Sequence, residues 1–155
     1  MARVLIVEDD GNLRLLYRIV LETEGYEVID VGSGAEALRV LSEELVDVVV
    51  LELGLQDISG LQLIDVIRSQ RWYVPIIVNS IYDFLSEERR NWDVDEIVSK
   101  SSGPAALIYA LKRIAPVEHV IEQYEYDKRP AARHTHHFSA GVSRRQAGSE
   151  YKSTP

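Results

Sequence analysis

Five short apolar runs punctuate the chain and alternate with amphipathic stretches. The runs are RVLIV (3–7), EVIDV (27–31), DVVVL (47–51), PIIVN (75–79) and EIVS (96–99). The first, third and fourth are continuously apolar, the pattern of strands covered on both faces. Between the runs, apolar residues recur at helical spacing. Leu13, Leu16, Tyr17, Val20 and Leu21 mark a first helix that Gly25 stops. Ser33-Gly34-Ala35-Glu36 has the form of a capping box and opens a second, with Ala37, Leu38, Leu41 and Leu45 along it. Leu61, Ile64 and Ile67 mark a third. A fourth, short and highly charged, falls near SEERRNW. A fifth starts at Ser102-Gly103-Pro104, with proline near its first turn, and carries Leu107, Leu111 and Ile114.

Strand and helix thus alternate five times. That order predicts one α/β domain over residues 1–115: a parallel sheet, helices on both faces, right-handed crossovers. In such sheets the functional crevice lies at the carboxyl ends of the strands. After Pro116 the pattern decays. Residues 116–127 extend the last helix or form a short one of their own. Residues 128–155 are rich in Arg, His, Ser and Gly without periodicity and read as a disordered tail, mobile and dispensable for folding.

Composition narrows the function classes. At 155 residues, with 46% hydrophobic and 27% charged, one globular domain is the default. Cysteine is absent, which excludes disulfides, zinc–thiolate sites and a thiol nucleophile. No apolar run approaches the ~20 residues of a membrane-spanning helix, and no signal-peptide pattern is visible, so a soluble cytoplasmic protein is expected. The net charge is −8, yet residues 128–155 carry six basic residues against one acidic. An acidic body with a basic end offers no nucleic-acid surface on the body.

The strand ends carry the candidate chemistry. The first run ends in Glu8-Asp9-Asp10, the third in Glu52, the fourth in Asn79-Ser80 and the fifth in Ser99-Lys100. Clustered carboxylates resist ionising unless a cation sits among them. Lys100 supplies one positive charge, and a hard divalent ion, Mg²⁺, would supply more. Asp10 reads as the cap of the first helix rather than a metal ligand. His134, His136 and His137 have the chemistry to bind zinc, copper or nickel but read as part of a solvated tail. Trp72 and Trp92 read as packing or partner surface.

On these motifs the chain resembles the receiver domain of two-component response regulators, of the CheY-like type. VLIVEDD matches the acidic-pair motif, VVVLELGLQDISGLQLI the third strand and following loop, PIIVNS the hydroxyl strand and DEIVSK the lysine strand. The likeness spans residues 2–114 and implies a flavodoxin-like (βα)5 fold with strand order 2-1-3-4-5. The NSIYD and DEIVSKSS pieces resemble small stand-alone receivers, with Ser101 where proline is more usual.

The resemblance implies roles residue by residue. The acid ending strand 3 is the phosphoacceptor, a nucleophile that becomes an acyl phosphate. Here that position is Glu52 rather than aspartate. Glu8, Asp9, Glu52 and the Gly54 backbone carbonyl would hold Mg²⁺. Ser80 and Lys100 would contact the phosphoryl oxygens, and Ile97 holds the switch position.

Three departures follow. Glutamate is one methylene longer, which moves its carboxylate outward by about 1–1.5 Å. Phosphoryl transfer is mostly positioning, and misplacement on that scale costs ~100-fold. Ile81 stands where a small residue is usual and should crowd phosphoryl access, and Ile97 replaces the aromatic switch. A protein-interaction module with phosphorylation impaired or absent is therefore expected, with Glu52 reaching toward Ser80 and Lys100 in imitation of a phosphoryl group. Mg²⁺ binding should be millimolar or weaker, an order-of-magnitude expectation from its strict geometry. A working phosphorelay receiver, an engineered Asp-to-Glu phosphomimic and drift at a retired site are the alternatives. A small hydrolase or flavin-binding protein ranks below them, since the body has no G-x-S-x-G, no Gly-rich loop after the first run and no histidine. No enzyme is expected. The expected partner is a histidine kinase or a downstream signalling protein, docking on the face of helix 4, strand 5 and helix 5. A homodimer is the further option. Neither a DNA-binding output domain nor a membrane contact is expected.

Overall fold

The computed structural model describes residues 1–70, 72–81 and 91–118. Strands β1 (Arg3–Val7), β2 (Glu27–Val31), β3 (Val48–Leu51), β4 (Ile76–Ser80) and β5 (Glu96–Ser99) form one parallel sheet in the order β2-β1-β3-β4-β5. Helices α1 (Gly11–Thr23), α2 (Gly34–Glu43), α3 (Gly60–Ser69) and α4 (Gly103–Ile114) connect or follow them, and a 3-10 turn, Lys100–Ser102, joins β5 to α4. The sheet order and the described elements agree with the alternation read from the sequence. Residues Met1–Glu118 form one compact unit. The charged fourth helix of the sequence reading, the tail from 128 and its histidines lie outside the described residues.

The period-2 geometry of a strand builds two cores at once. From β1, Leu5 and Val7 face one way and Val4 and Ile6 the other; from β3, Val49 and Leu51 oppose Val48 and Val50. The first set packs with Leu63, Ile64 and Ile67 of α3 and Ala37 and Leu41 of α2. The second packs with Tyr17 and Leu21 of α1 and Leu107 and Leu111 of α4. Continuously apolar β1 and β3 are thus covered on both faces, which holds the sheet rigid beneath its carboxyl ends. Trp72 and Trp92 pack, half-buried, against the α2–α3 core.

Helix starts are chemically specified. Asp10 caps α1, its carboxylate accepting from the N–H groups of Asn12 (2.9 Å) and Leu13 (3.1 Å). Ser33 caps α2 by accepting from Glu36 N–H at 3.2 Å, but the Glu36 carboxylate accepts from Gly32 rather than from Ser33, so the box predicted there is half formed. The full box is at α3: Ser59 accepts from Gln62 N–H and Gln62 from Ser59 N–H. Gly25, at φ 92°, ends α1 in a conformation that side chains disfavour.

Three apolar positions differ from the sequence reading. Leu16 and Leu61 are exposed, and the inward places on their helices go to Tyr17 with Leu21 and to Leu63 with Ile64. Leu45 lies beyond the end of α2 and is 87% exposed. In each case a helical period was carried past the element's end or phased one residue off. Ile81, directly after β4, is 66% exposed.

Candidate functional site

Ladder pairing brings the acids together. Val7 of β1 is paired with Leu51 of β3, so Glu8 and Glu52 are the next residues across the sheet. Backbone bonds hold both: Glu52 N–H donates to Val7 carbonyl at 3.0 Å and Glu8 N–H to Val31 carbonyl at 3.1 Å. The side chains are buried, Glu8 3% and Glu52 5% exposed. Neighbouring strands run only ~4.8 Å apart, so two buried carboxylates at this point repel.

Lys100 answers that repulsion. Ser80 of β4 pairs with Ser99 of β5, and the chain then turns so that Lys100 follows directly. Its ammonium, on a side chain 9% exposed, lies 2.5 Å from Glu8 Oε2 and is ion-paired with Glu52 Oε2. The remaining oxygens are also engaged. Glu52 Oε1 accepts from Gly54 N–H (2.8 Å) and from the Ser80 hydroxyl (3.0 Å), and Glu8 Oε1 accepts from Asp10 N–H (3.1 Å). Glu52 Oε2 accepts no well-aligned hydrogen bond among the described residues and is met by the ammonium as a charge contact.

The electrostatics follow. Burial raises the Glu8 pKa, the Lys100 ammonium and Asp10 N–H oppose it, and Glu52 adds to the rise. Burial works to lower the Lys100 pKa, but its close contacts with the Glu52 and Glu8 carboxylates outweigh that and hold it above the ordinary lysine value.

Of the residues singled out from sequence, Glu8, Glu52, Ser80 and Lys100 are gathered into one cluster. Gly54 joins it through its N–H, the group opposite in polarity to the carbonyl proposed as a metal ligand. Asp9 is half-buried beside Glu8 and takes no part in the lysine bridge. Ile97, opposite Val78, packs half-buried against the α2–α3 core.

These oxygens are hard donors of the kind Mg²⁺ prefers. As arranged they do not fit it: among the described residues no three carboxylates converge as a metal-ligand group, and Lys100 occupies the space between Glu8 and Glu52.

Two residues that sequence reasoning missed brace the site. Arg14, on α1, donates from Nη1 to the Glu8 carbonyl at 2.8 Å, and its Nε lies 3.2 Å from Asp30 at the end of β2. Asp57, in the loop after β3, accepts from the N–H groups of Gly34 (3.0 Å) and Ala35 (2.9 Å), tying that loop to the start of α2. These two bonds hold its carboxyl below the ordinary aspartate value. Both link segments far apart in sequence, so no local pattern announces them.

Comparison with known proteins agrees with this geometry. Residues 4–112 match the family described as the response regulator receiver domain. Among curated relatives, the transcriptional regulatory protein KdpE of Mycobacterium tuberculosis is 37% identical over 106 residues, covering 66% of this chain and 46% of KdpE. The transcriptional regulatory protein GlrR of Escherichia coli is 40% identical over 77 residues, 50% of this chain and 17% of GlrR. This chain therefore spans less than half the length of those relatives. Among solved structures, the response regulator TrrA of Thermotoga maritima, in complex with Mg²⁺-BeF, superposes with TM-score 0.68 at 32% identity, over 74% of this chain and 99% of TrrA. TrrA is also known in complex with the histidine kinase ThkA. No helix among the described residues is long and apolar enough to cross a membrane. With a sheet ordered 2-1-3-4-5, an acid cluster at its carboxyl edge and a family match over most of its length, this chain belongs to the response-regulator receiver domains of two-component signalling.

Proposed function

We propose that this domain acts as a protein-interaction module in which Glu52 stands permanently in the acceptor position and phosphorylation is impaired. The carrying observation is that the Glu52 carboxylate already engages the Ser80 hydroxyl (3.0 Å) and the Lys100 ammonium, the groups a phosphoryl would need. A phosphoryl on Glu52 would have to displace both contacts, and the acceptor's own oxygens are turned inward rather than toward a donor. Asp57, the next carboxylate along the loop, is committed to the α2 amides and is not poised to substitute. Mg²⁺ binding at Glu8 and Asp9 is correspondingly weak, millimolar or above by the strictness of its geometry.

A histidine kinase or downstream signalling protein in the cytoplasm is the partner class, by analogy with TrrA and ThkA. The docking face includes β5 and α4, where Tyr109 is exposed beside Arg113, which is ion-paired with Glu96. The test is exposure to a small-molecule phosphodonor with Mg²⁺, read by intact mass, beside Glu52→Asp. The unchanged chain should gain no phosphoryl mass while Glu52→Asp gains one. Equal phosphorylation of both overturns the proposal in favour of a working receiver.

A further inference from the structure

We infer that the amino edge of the sheet carries a docking cleft for an arginine side chain of a partner protein, lined by Trp72, Tyr73, Asp93 and Asp95. The cleft lies where β4 and β5 begin, at the end of the sheet opposite Glu52. The inference therefore goes beyond the reading above and does not depend on whether the acceptor position works.

The cleft encloses about 340 Å³ and is completed by Arg68, Val74 and Pro75. That is the lower end of the ~300–1,000 Å³ range of ligand clefts, room for one long side chain rather than a folded element. Its position follows from the sheet. Val74 and Pro75 lead into β4, and Asp93 to Asp95 lead into β5. The two strand starts are tied together: Asp95 N–H donates to the Ile76 carbonyl at 2.9 Å, and Ile76 N–H donates to the Asp95 carboxylate at 2.8 Å. Arg68, in the last turn of α3, fastens both approaches to that helix. Its guanidinium donates from Nη1 to the carbonyls of Val74 (2.8 Å) and Trp72 (3.3 Å). It donates to the Asp93 carbonyl from Nη2 (3.0 Å) and Nε (3.1 Å). The cleft is thus built in the free protein, which lowers the ordering cost of binding.

The charge balance selects a cation. Four bonds to backbone carbonyls use most of the five N–H groups of Arg68, so little of it remains to hold an anion. Asp93 and Asp95 set two carboxylates against that one guanidinium, at 3.4 and 3.7 Å, and the Asp93 side chain is 79% exposed. Tyr73, in the same cleft, is 92% exposed and belongs to neither core. An open ring beside a carboxylate in excess is what a guanidinium satisfies: its plane stacks on the ring and its N–H fork meets the carboxylate. A lysine ammonium meets the charge but lacks the plane and the fork, so arginine is the better fit. Trp72, half-buried in the same cleft, supplies a second ring.

The test is an NMR titration of the full chain with N-acetyl-arginine amide, N-acetyl-lysine amide and N-acetyl-glutamine amide at matched ionic strength. The readout is the Trp72 indole N–H signal, assigned with Trp72→Phe, and the titration is repeated on Asp93→Asn and Tyr73→Ala. Both of those side chains are exposed and outside the cores, so the variants keep the fold. The arginine probe should shift the Trp72 signal saturably and bind more tightly than the lysine probe, and the glutamine probe should give no saturable shift. Asp93→Asn should weaken arginine binding about two- to fivefold, the worth of one exposed ion pair. Tyr73→Ala should weaken it by a similar factor, about two- to fivefold, the worth of one exposed cation–π contact. No saturable shift, a shift equal for all three probes, or arginine binding that either variant leaves unchanged overturns the inference. Equal binding of the lysine and arginine probes overturns the assignment to arginine.

Discussion

Glu52 and Lys100 are ion-paired across a strand that belongs to neither. Glu52 follows β3 and Lys100 follows β5, and the end of β4 lies between them, where Ser80 donates to the same carboxylate. Glu52 is thus the acid that ties β3 to the lysine after β5.

Alkaline stability should reveal the lysine. Its folded pKa lies above the ordinary value of 10.5, because the contacts with Glu52 and Glu8 outweigh burial. A group raised in the folded state contributes stability that is full below its unfolded pKa and is lost as pH climbs through the folded one. The difference in urea midpoint between the unchanged protein and Lys100→Met should be level below 10.5 and shrink above it. A difference that does not change with alkaline pH contradicts the pairing.

Asp57 gives the opposite sign. Its folded pKa is depressed below 3.8 by the Gly34 and Ala35 amides, so its contribution is present above that value and lost as pH falls through the folded pKa. Asp57→Asn should be less stable at neutral pH and converge with the unchanged chain in strong acid. Hydrogen exchange at Gly34 and Ala35 should quicken in the variant. Unaltered exchange there means the loop is not held by this carboxylate.

Gly60 permits the close approach of α3 to the strand end. A Cβ there would lie 2.5 Å from Leu53 Cα and 2.9 Å from the Glu52 carbonyl, both backbone atoms with little freedom to give way. Gly60→Ala should cost about 1–3 kcal/mol in urea denaturation, the range of overpacked sites. Gly34→Ala meets the Ile58 side chain at 2.1 Å instead, which can rotate, and should cost less.

The sheet was legible because each run is dominated by one force. Continuously apolar β1 and β3 have no stable place but the middle of a covered sheet, and the order of acids, hydroxyl and lysine at strand ends is set by ladder position. Helix phase was less legible. Leu13, Leu16 and Leu61 carry the same apolar signal as Leu63, and only the packed sheet decides which of them faces inward. The bracing residues were not legible, because Asp57 reaches an amide 23 positions away and the Arg14 guanidinium reaches a backbone carbonyl. Such contacts leave no periodicity.

The most direct measurement is a double-mutant cycle on the pair, Glu52→Gln with Lys100→Met, read by urea denaturation at neutral pH. Glu52→Gln keeps the length and removes the charge, leaving Lys100 with Glu8 as its remaining carboxylate partner. Breaking a buried pair outright costs ~3–5 kcal/mol. With Glu8 still in place the Glu52–Lys100 coupling should be about 1–2 kcal/mol, favourable, and Glu52→Gln should also weaken partner binding. If the two changes add to within about 0.5 kcal/mol, the charge contact contributes nothing and Glu52 is a relic at a retired site.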